Sequence, residues 1–457
     1  MRTFFIETWG CQMNHHDSER LDGLLRSAGL EPASAVDGAD LVLLNTCSVR
    51  EKPVQKITSR IGELERFASQ PVIGVCGCVA QQEGEGLLKR SKSVGFVLGP
   101  GQVGRIREAI RSVSRGQRAV FVGFDAETDY NYSTIFRKHS TRGMVTVIEG
   151  CNEFCTFCIV PYTRGREVSR TIEDVVAEVR SLTESGIREI ELLGQTINAY
   201  TCPDTGARLA DLLRRVATID GADRVRFITS HPRHFDDDLI QVLADHPNVS
   251  RYLHLPFQAG SNRILKRMNR KYTREEFLEL IRRIRSAVPD INLSTDVIVG
   301  FPGEAEEDFQ ETLDLLEVVR FGQVYAFGYS PRPKTPSRTY DEQVADETKS
   351  DRLQRLFAVS ARISGELNSA LVGTTVPVLV DGESRKRTEH WQGRGEDNRV
   401  VNFPKTGRES VGDVVPVIIE RAGPHSLFGR RDLSGVRRLP VMPTALTSPD
   451  AHSNVEG

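Results

Sequence analysis

Val145-Thr-Val-Ile-Glu149-Gly150-Cys151-Asn-Glu-Phe-Cys155-Thr-Phe157-Cys158 is the stretch that decides how this chain is read. It starts as an apolar strand and runs directly into three cysteines with the spacing Cys-x3-Cys-x2-Cys. Downstream the strand pattern returns at 189–193, 225–229, 252–255, 292–299 and 324–329, with amphipathic stretches between. Two of those stretches carry helix-start signals, Thr171 before 172–184 and Thr273 before 274–287. Strands that alternate with helices pair in parallel. Six such units are two short of a closed eight-stranded barrel, so the pattern predicts a partial (β/α)6 TIM-like barrel over 144–371. A long amphipathic helix from about 347 to 371 closes it. Barrels of this kind gather their sites at the C-terminal strand ends, which is where the three cysteines fall.

Upstream, residues 1–123 read as a second α/β domain. Strands are expected at 3–9, 41–45, 72–75 and 94–98, and helices at 17–28, with Asp17 as N-cap, at 51–67 and at 103–113. Three of these strands also run into cysteine, as Thr8-Trp-Gly-Cys11, Asn45-Thr-Cys47 and Gly74-Val-Cys76-Gly-Cys78. In a parallel sheet the C-terminal strand ends share one edge, so cysteines far apart in sequence can meet there. Residues 124–143 form a polar linker. Residues 372–438 change to short β-rich runs broken by Gly and Asp, which predicts a small antiparallel β-barrel with 12 basic and 9 acidic residues. The Pro-, Ser- and Thr-rich tail 439–457 is expected to be disordered.

Composition narrows the class. The 457 residues are 39% hydrophobic and carry 60 Lys and Arg against 62 Asp and Glu, which excludes a coiled coil, collagen and a largely disordered chain. No apolar run approaches the roughly 18 residues of a membrane span, and Met1-Arg-Thr-Phe-Phe-Ile-Glu7 is no export signal. A monomer in the reducing cytoplasm is the expectation, without a membrane. Eight cysteines there serve as ligands, nucleophiles or core residues rather than disulfides. The net charge of −2 means that any nucleic-acid contact rests on local patches.

Three close thiolates suit zinc or an iron–sulfur cluster. Structural zinc takes four ligands, whereas a 4Fe–4S cluster held by three cysteines leaves one iron open. The spacing at a barrel mouth resembles the radical S-adenosylmethionine (SAM) superfamily, and Phe157 before the last cysteine fits that pattern. Glu149-Gly-Cys151 through Cys158-Ile-Val-Pro-Tyr-Thr-Arg-Gly-Arg-Glu-Val-Ser-Arg170 is similar to the methylthiotransferases. So are Leu193-Gly194-Gln195-Thr-Ile-Asn198, His254-Leu-Pro-Phe-Gln-Ala-Gly-Ser-Asn262 and Asp296-Val-Ile-Val-Gly-Phe-Pro-Gly303. The resemblance runs from about 3 to 438 and implies an N-terminal methylthiotransferase domain, a radical SAM core and an RNA-binding TRAM domain.

It further implies two 4Fe–4S clusters, one on Cys151, Cys155 and Cys158 and an auxiliary one on Cys11, Cys47 and Cys78. Gly77-Cys78-Val-Ala-Gln81 matches the family, so Cys78 is preferred to Cys76, which is expected to be a buried structural thiol. Phe157, Gly194, Gln195 and Asp296 would form the SAM environment. Cys47-Ser-Val-Arg-Glu-Lys-Pro53 and Gly10-Cys-Gln-Met-Asn-His-His-Asp-Ser-Glu19 resemble the branch that acts on isopentenylated adenosine 37 of tRNA. The chemistry so implied uses two SAM per turnover. One methylates a sulfur on the auxiliary cluster, and the other yields a radical that takes hydrogen from C2 of the base. An electron donor such as flavodoxin or ferredoxin and the iron–sulfur assembly machinery would be partners. Methylthiolation of another target, a non-catalytic iron–sulfur RNA-binding protein and zinc binding are the alternatives.

Weaker signals remain. Gly99-Pro-Gly101-Gln-Val-Gly104 matches a dinucleotide fingerprint but follows the fourth strand, and reads as a turn with a helix start. Arg263, Lys266, Arg267, Arg270 and Lys271 lie in a segment with six basic residues in twelve, suited to tRNA phosphates or to a solvated helix face. Arg385-Lys386-Arg387 with His390-Trp391 and Phe403 mixes basic and aromatic residues, as RNA surfaces and β-cores both do. Cys202 stands alone in a loop. His15, His16, His231 and His254 could bind metal, though strand-end and cap roles are commoner.

Overall fold

The run Leu41-Val-Leu-Leu44 is fully buried on alternate faces, and that pattern builds the first domain. Leu41 and Leu43 pack with Leu21, Leu25, Cys76 and Phe96 on one side of the sheet, while Val42 and Leu44 pack with Ile57, Val75 and Val97 on the other. A strand apolar on both faces needs helices on both, which is the mark of a parallel sheet. In the computed structural model, which describes residues 1–48, 51–67, 69–124, 135–137, 141–432 and 437–438, that sheet has six parallel strands. Their order is Glu31–Pro32, Thr3–Trp9, Leu41–Thr46, Val72–Gly77, Val94–Leu98 and Ala119–Phe121. The chain order reverses between Thr3–Trp9 and Leu41–Thr46. The crevice at such a switch point, outside the carboxyl strand ends, is where open α/β sheets bind ligands. Cys11 and Cys47 follow those two strands, and Cys78 follows the next.

The helix expected at 17–28 with Asp17 as cap begins earlier. It spans Gln12–Ser27 with Cys11 at the N-cap position, and Asp17 is buried inside it. The Gly99–Gly104 motif is a 3-10 turn, Pro100–Arg105, that leads into the helix Ile106–Ser114. Most of the linker 124–143, the tail 439–457 and part of Cys47-Ser-Val-Arg-Glu lie outside the described residues.

The barrel consists of two parallel three-stranded halves. Arg142–Thr146, Glu189–Leu193 and Arg224–Phe227 form one, and Tyr252–His254, Asn292–Val299 and Gln323–Gly328 the other. A parallel bridge from Val225 to Val249 links them. The helices wrap outside, with the expected caps: Thr171 accepts from the Asp174 amide, and Thr273 and Glu276 form a capping box. The helix Asp346–Ser369 packs across Gln323–Gly328.

The C-terminal strands close into a five-stranded barrel through Thr375–Ser384, Arg387–Arg394, Val400–Pro404, Leu427–Arg431 and Asp413–Ala422. It is not wholly antiparallel, since Val400–Pro404 pairs parallel with Leu427–Arg431. That pair is not a hairpin: the intervening strand Asp413–Ala422 carries the chain to the far side of the ring, so Leu427–Arg431 enters in the same direction. Val378, Val380, Val401, Phe403, Val415, Val417, Ile419 and Leu427 fill its core, each worth about 1.5–3 kcal/mol in burial. This barrel closes the lower end of the larger one. Arg226 donates to Asn398 Oδ1 at 2.7 Å and to the Gly395 carbonyl at 3.0 Å, while Ser250 and Asn292 donate to the carbonyls of Glu396 and Asp397.

Candidate metal and cofactor site

Gly150 makes the turn from strand to cysteine loop. Its φ of +79° favours glycine, and a Cβ there would stand 2.1 Å from the Arg166 carbonyl oxygen. Cys151 N then donates to Gly165 O at 3.1 Å, and Cys158 N to Cys155 O at 3.0 Å. The loop is held from the far half-barrel: Thr156 donates through its amide to Met268 O and through its hydroxyl to Arg267 O, and Asn269 donates to Phe154 O. Cys151 and Cys155 are buried and Cys158 is partly so. Burial raises the pKa of Cys151, against the Thr196 hydroxyl 3.2 Å from its sulfur, and raises that of Cys158.

Of the residues expected around this loop, Gln195 accepts from Gly150 N at 2.5 Å. Gly194 sits where a Cβ would meet Ile148 at 2.5 Å. Phe157 packs edge-on to Phe301, and Asp296 is partly exposed 3.4 Å from His254 Nε2.

The basic segment divides. Arg263 pairs with Asp308, and Arg267 lies 3.5 Å from Glu342, while Lys266 and Lys271 are exposed. Arg270 does not belong with them. It is buried and donates to Cys155 Sγ at 3.4 Å and to Pro256 O at 3.0 Å, so it is a neighbour of the cysteine loop and not a surface contact for RNA. Its place after the helix Asn262–Arg267 turns it inward, and no sequence signal separates it from the cations around it. Arg385, Lys386 and Arg387 are exposed around the turn joining two strands, but Phe403 is core. Lys405 lies over the Trp391 ring at 4.8 Å.

At the N-terminal site Cys11 stands beside Cys47. A hydrogen bond with Cys47 brings the Cys11 pKa down to about 6, against burial and with help from the Arg164 charge. Burial raises Cys78, while the same Arg164 draws it down. Cys76 is buried in the core, where burial raises its thiol. Cys202 is not a loop orphan. It is packed in the main core, with its amide bonded to Ala207 O.

His16, His254 and His231 take structural roles. His16 meets the Thr146 hydroxyl at 2.8 Å, His254 Nδ1 meets Ser294 at 2.8 Å, and His231 Nδ1 accepts the Arg233 amide. His231, His234 and Glu153 bring ligand atoms within 4.8 Å of one another. Arg233 and Lys271 stand 3.8 and 3.9 Å from the same Glu153 carboxylate, however, and already supply the positive charge an ion would bring.

Arg164 went unnoticed in the sequence, although it lies inside the quoted Pro161-Tyr-Thr-Arg-Gly motif. So did Thr196 and Glu153, whose partners come from other elements.

Residues 145–316 match the radical SAM superfamily, 3–99 an uncharacterized protein family, UPF0004, and 369–430 the TRAM domain. The tRNA-2-methylthio-N(6)-dimethylallyladenosine synthase of Methylococcus capsulatus is 44% identical over 93% of this chain and 94% of its own. That of a Jannaschia species is 45% identical over 94% of each chain. The radical SAM methyltransferase TsrM of Kitasatospora setae shares the fold with a TM-score of 0.53 at 16% identity, over 74% of this chain and 75% of its own. Two cysteine-bearing sheet edges, one in a partial barrel and one in a parallel domain ahead of it, thus occur here in a chain that belongs to the tRNA-2-methylthio-N(6)-dimethylallyladenosine synthase family of the radical SAM superfamily.

Proposed function

We propose that the protein adds a methylthio group to C2 of N6-isopentenyladenosine at position 37 of tRNA. Cys151, Cys155 and Cys158 would hold a 4Fe–4S cluster that binds SAM, and Cys11, Cys47 and Cys78 a second one. The observation that carries this reading is the pairing of two cysteine triads on the carboxyl edges of two parallel sheets, joined by the short segment from Cys158 to Gly165.

Bound there, the two clusters would supply the electron that cleaves SAM and the iron that holds the sulfur to be transferred. The chain does the rest. Gln195 fixes the Gly150 amide at the loop entrance, and Thr196 and Arg270 offer hydrogen bonds to Cys151 and Cys155 sulfurs. Phe157, Gly194, Gln195 and Asp296 would line the SAM site. His254 Nε2 stands 3.4 Å from Asp296, and its Nδ1 is held by Ser294, whose hydroxyl donates in turn to Tyr252. Arg263, Lys266, Arg267 and Lys271 at the mouth, with Arg385, Lys386 and Arg387 on the small barrel, would meet tRNA phosphates, so binding should weaken with salt.

Residues 1–123, 144–371 and 372–438 would be the working domains. A low-potential donor such as flavodoxin or ferredoxin and the assembly machinery would serve the protein in the cytoplasm. No helix among the described residues is long and apolar enough to cross a membrane. Nucleoside analysis of tRNA from a strain lacking the gene tests the substrate. Loss of 2-methylthio-isopentenyladenosine with accumulation of isopentenyladenosine is expected. Persistence of the methylthio nucleoside, with no second gene of this family present, would contradict the proposal.

A further inference from the structure

Arg164 belongs to the barrel, six residues beyond Cys158, yet its side chain lies in the other site. It follows the short helix Val160–Thr163, which packs against Cys78–Glu83, the helix opened by Cys78 itself. The guanidinium is buried, and Nη2 donates to Asp17 Oδ2 at 2.6 Å. Asp17 is one of the buried carboxylates on the helix that Cys11 opens. Nη1 is also buried and makes no hydrogen bond of ordinary geometry among the described residues, although the guanidinium stands close enough to the Cys78 thiol to draw its pKa down. The next residue, Gly165, accepts the Cys151 amide. One dipeptide therefore touches both triads, with a charge toward Cys78 and Cys11 and a carbonyl toward Cys151.

A buried guanidinium with one N–H left unpaired is costly unless something anionic completes it. Asp17 balances its charge but uses only part of its donor fork. Resting on the methylthio-transfer reading above, the group that arrives at this site carries sulfur and negative charge, as hydrosulfide or a thiolate. We propose that Arg164 is a positioning residue of the N-terminal site: its free N–H and its charge hold the anionic sulfur species there, facing the barrel triad to which its own backbone is tied.

The test compares reconstituted wild-type enzyme with Arg164→Gln, Arg164→Lys and Asp17→Asn, using sodium hydrosulfide as the probe. Hydrosulfide binding is read from perturbation of the N-terminal cluster's EPR signal, alongside its midpoint potential. Arg164→Gln should bind hydrosulfide at least tenfold more weakly and shift that potential to more negative values, because a positive charge that favours the added electron is gone. Formation of 5′-deoxyadenosine from SAM should stay within twofold. Arg164→Lys should recover part of the binding. Asp17→Asn, which keeps the cation, should bind hydrosulfide as well as wild type. The inference is overturned if Arg164→Gln, or Arg164→Lys where the former does not hold its iron, binds hydrosulfide as wild type does. It is equally overturned if Asp17→Asn and both Arg164 variants lose iron and melting temperature together while the remaining cluster binds normally. Failure of the two-cluster reading itself would show separately, as wild-type enzyme with no N-terminal cluster signal.

Discussion

Arg270 lies among cations that face solvent, Lys266 and Lys271, yet its own guanidinium turns inward to Cys155 Sγ at 3.4 Å. Tyr272, itself bonded to Phe257 O, and the Pro256 carbonyl hold it in that pose. An N–H directed at a ligating sulfur from a buried cation favours the reduced state of whatever that sulfur binds, since the added electron meets positive charge. Arg270→Met keeps the volume and removes both the charge and the donor. The midpoint potential of the barrel cluster should then fall by on the order of 60 mV, the equivalent of about 1.4 kcal/mol for one electron. EPR-monitored titration measures it, and an unchanged potential would reduce Arg270 to packing. Composition could not have singled out this residue. A run of basic residues reads as surface until the tertiary partner, here a sulfur 115 positions away, is known.

At the scale of elements, the local signals worked where one element decides its own fate. Strands buried on both faces, such as Leu41–Thr46, and helices with their own caps, such as Arg274–Ala287, fall close to the expected limits. Errors came where a distant partner decides. Asp17 has the chemistry of an N-cap, but Arg164 claims it from the other domain, and the helix starts five residues earlier. The strands Arg387–Arg394 and Leu427–Arg431 were not expected, because they are short of apolar residues and are held by their neighbours in a closed ring.

Gly150 is an element-scale constraint of another kind. Gly150→Ala adds a Cβ against the Arg166 carbonyl at positive φ, and the strain alone costs about 1–3 kcal/mol. The expected outcome is a folded chain that keeps its N-terminal iron but loses the barrel cluster, measured as iron per chain. Glu409 sets a pH response in the small barrel. Burial opposes its charge, yet Thr406 and Arg431 outweigh burial and bring its pKa to about 2 from an ordinary value near 4.5. A carboxylate held below its unfolded value contributes stability that is complete above about pH 4.5 and is lost as pH falls through about 2. Denaturant unfolding across that window should show a smaller pH dependence in Glu409→Gln.

Over the whole molecule, buried charge joins the two candidate sites. Asp17 with Arg164, Arg20 with Glu149 and Glu19 with Arg137 all cross between the first helix and the barrel side, and His16 meets Thr146. Removing one partner from such pairs leaves an uncompensated buried charge, which resists relative motion of the two sites. Cys11, Cys47, Cys78 and Cys151 were legible because each follows a strand, and parallel topology brings strand ends to one edge, while Cys155 and Cys158 were singled out by their spacing from Cys151. The bridge between the triads was not, since it depends on how two sheets face each other. Iron and acid-labile sulfide per chain, measured after anaerobic reconstitution, test the central claim of two clusters most directly. The account predicts about eight irons in the wild type and about four in a Cys11→Ala, Cys47→Ala, Cys78→Ala variant that still cleaves SAM. About four irons in the wild type, or stoichiometric zinc in place of iron, would contradict it.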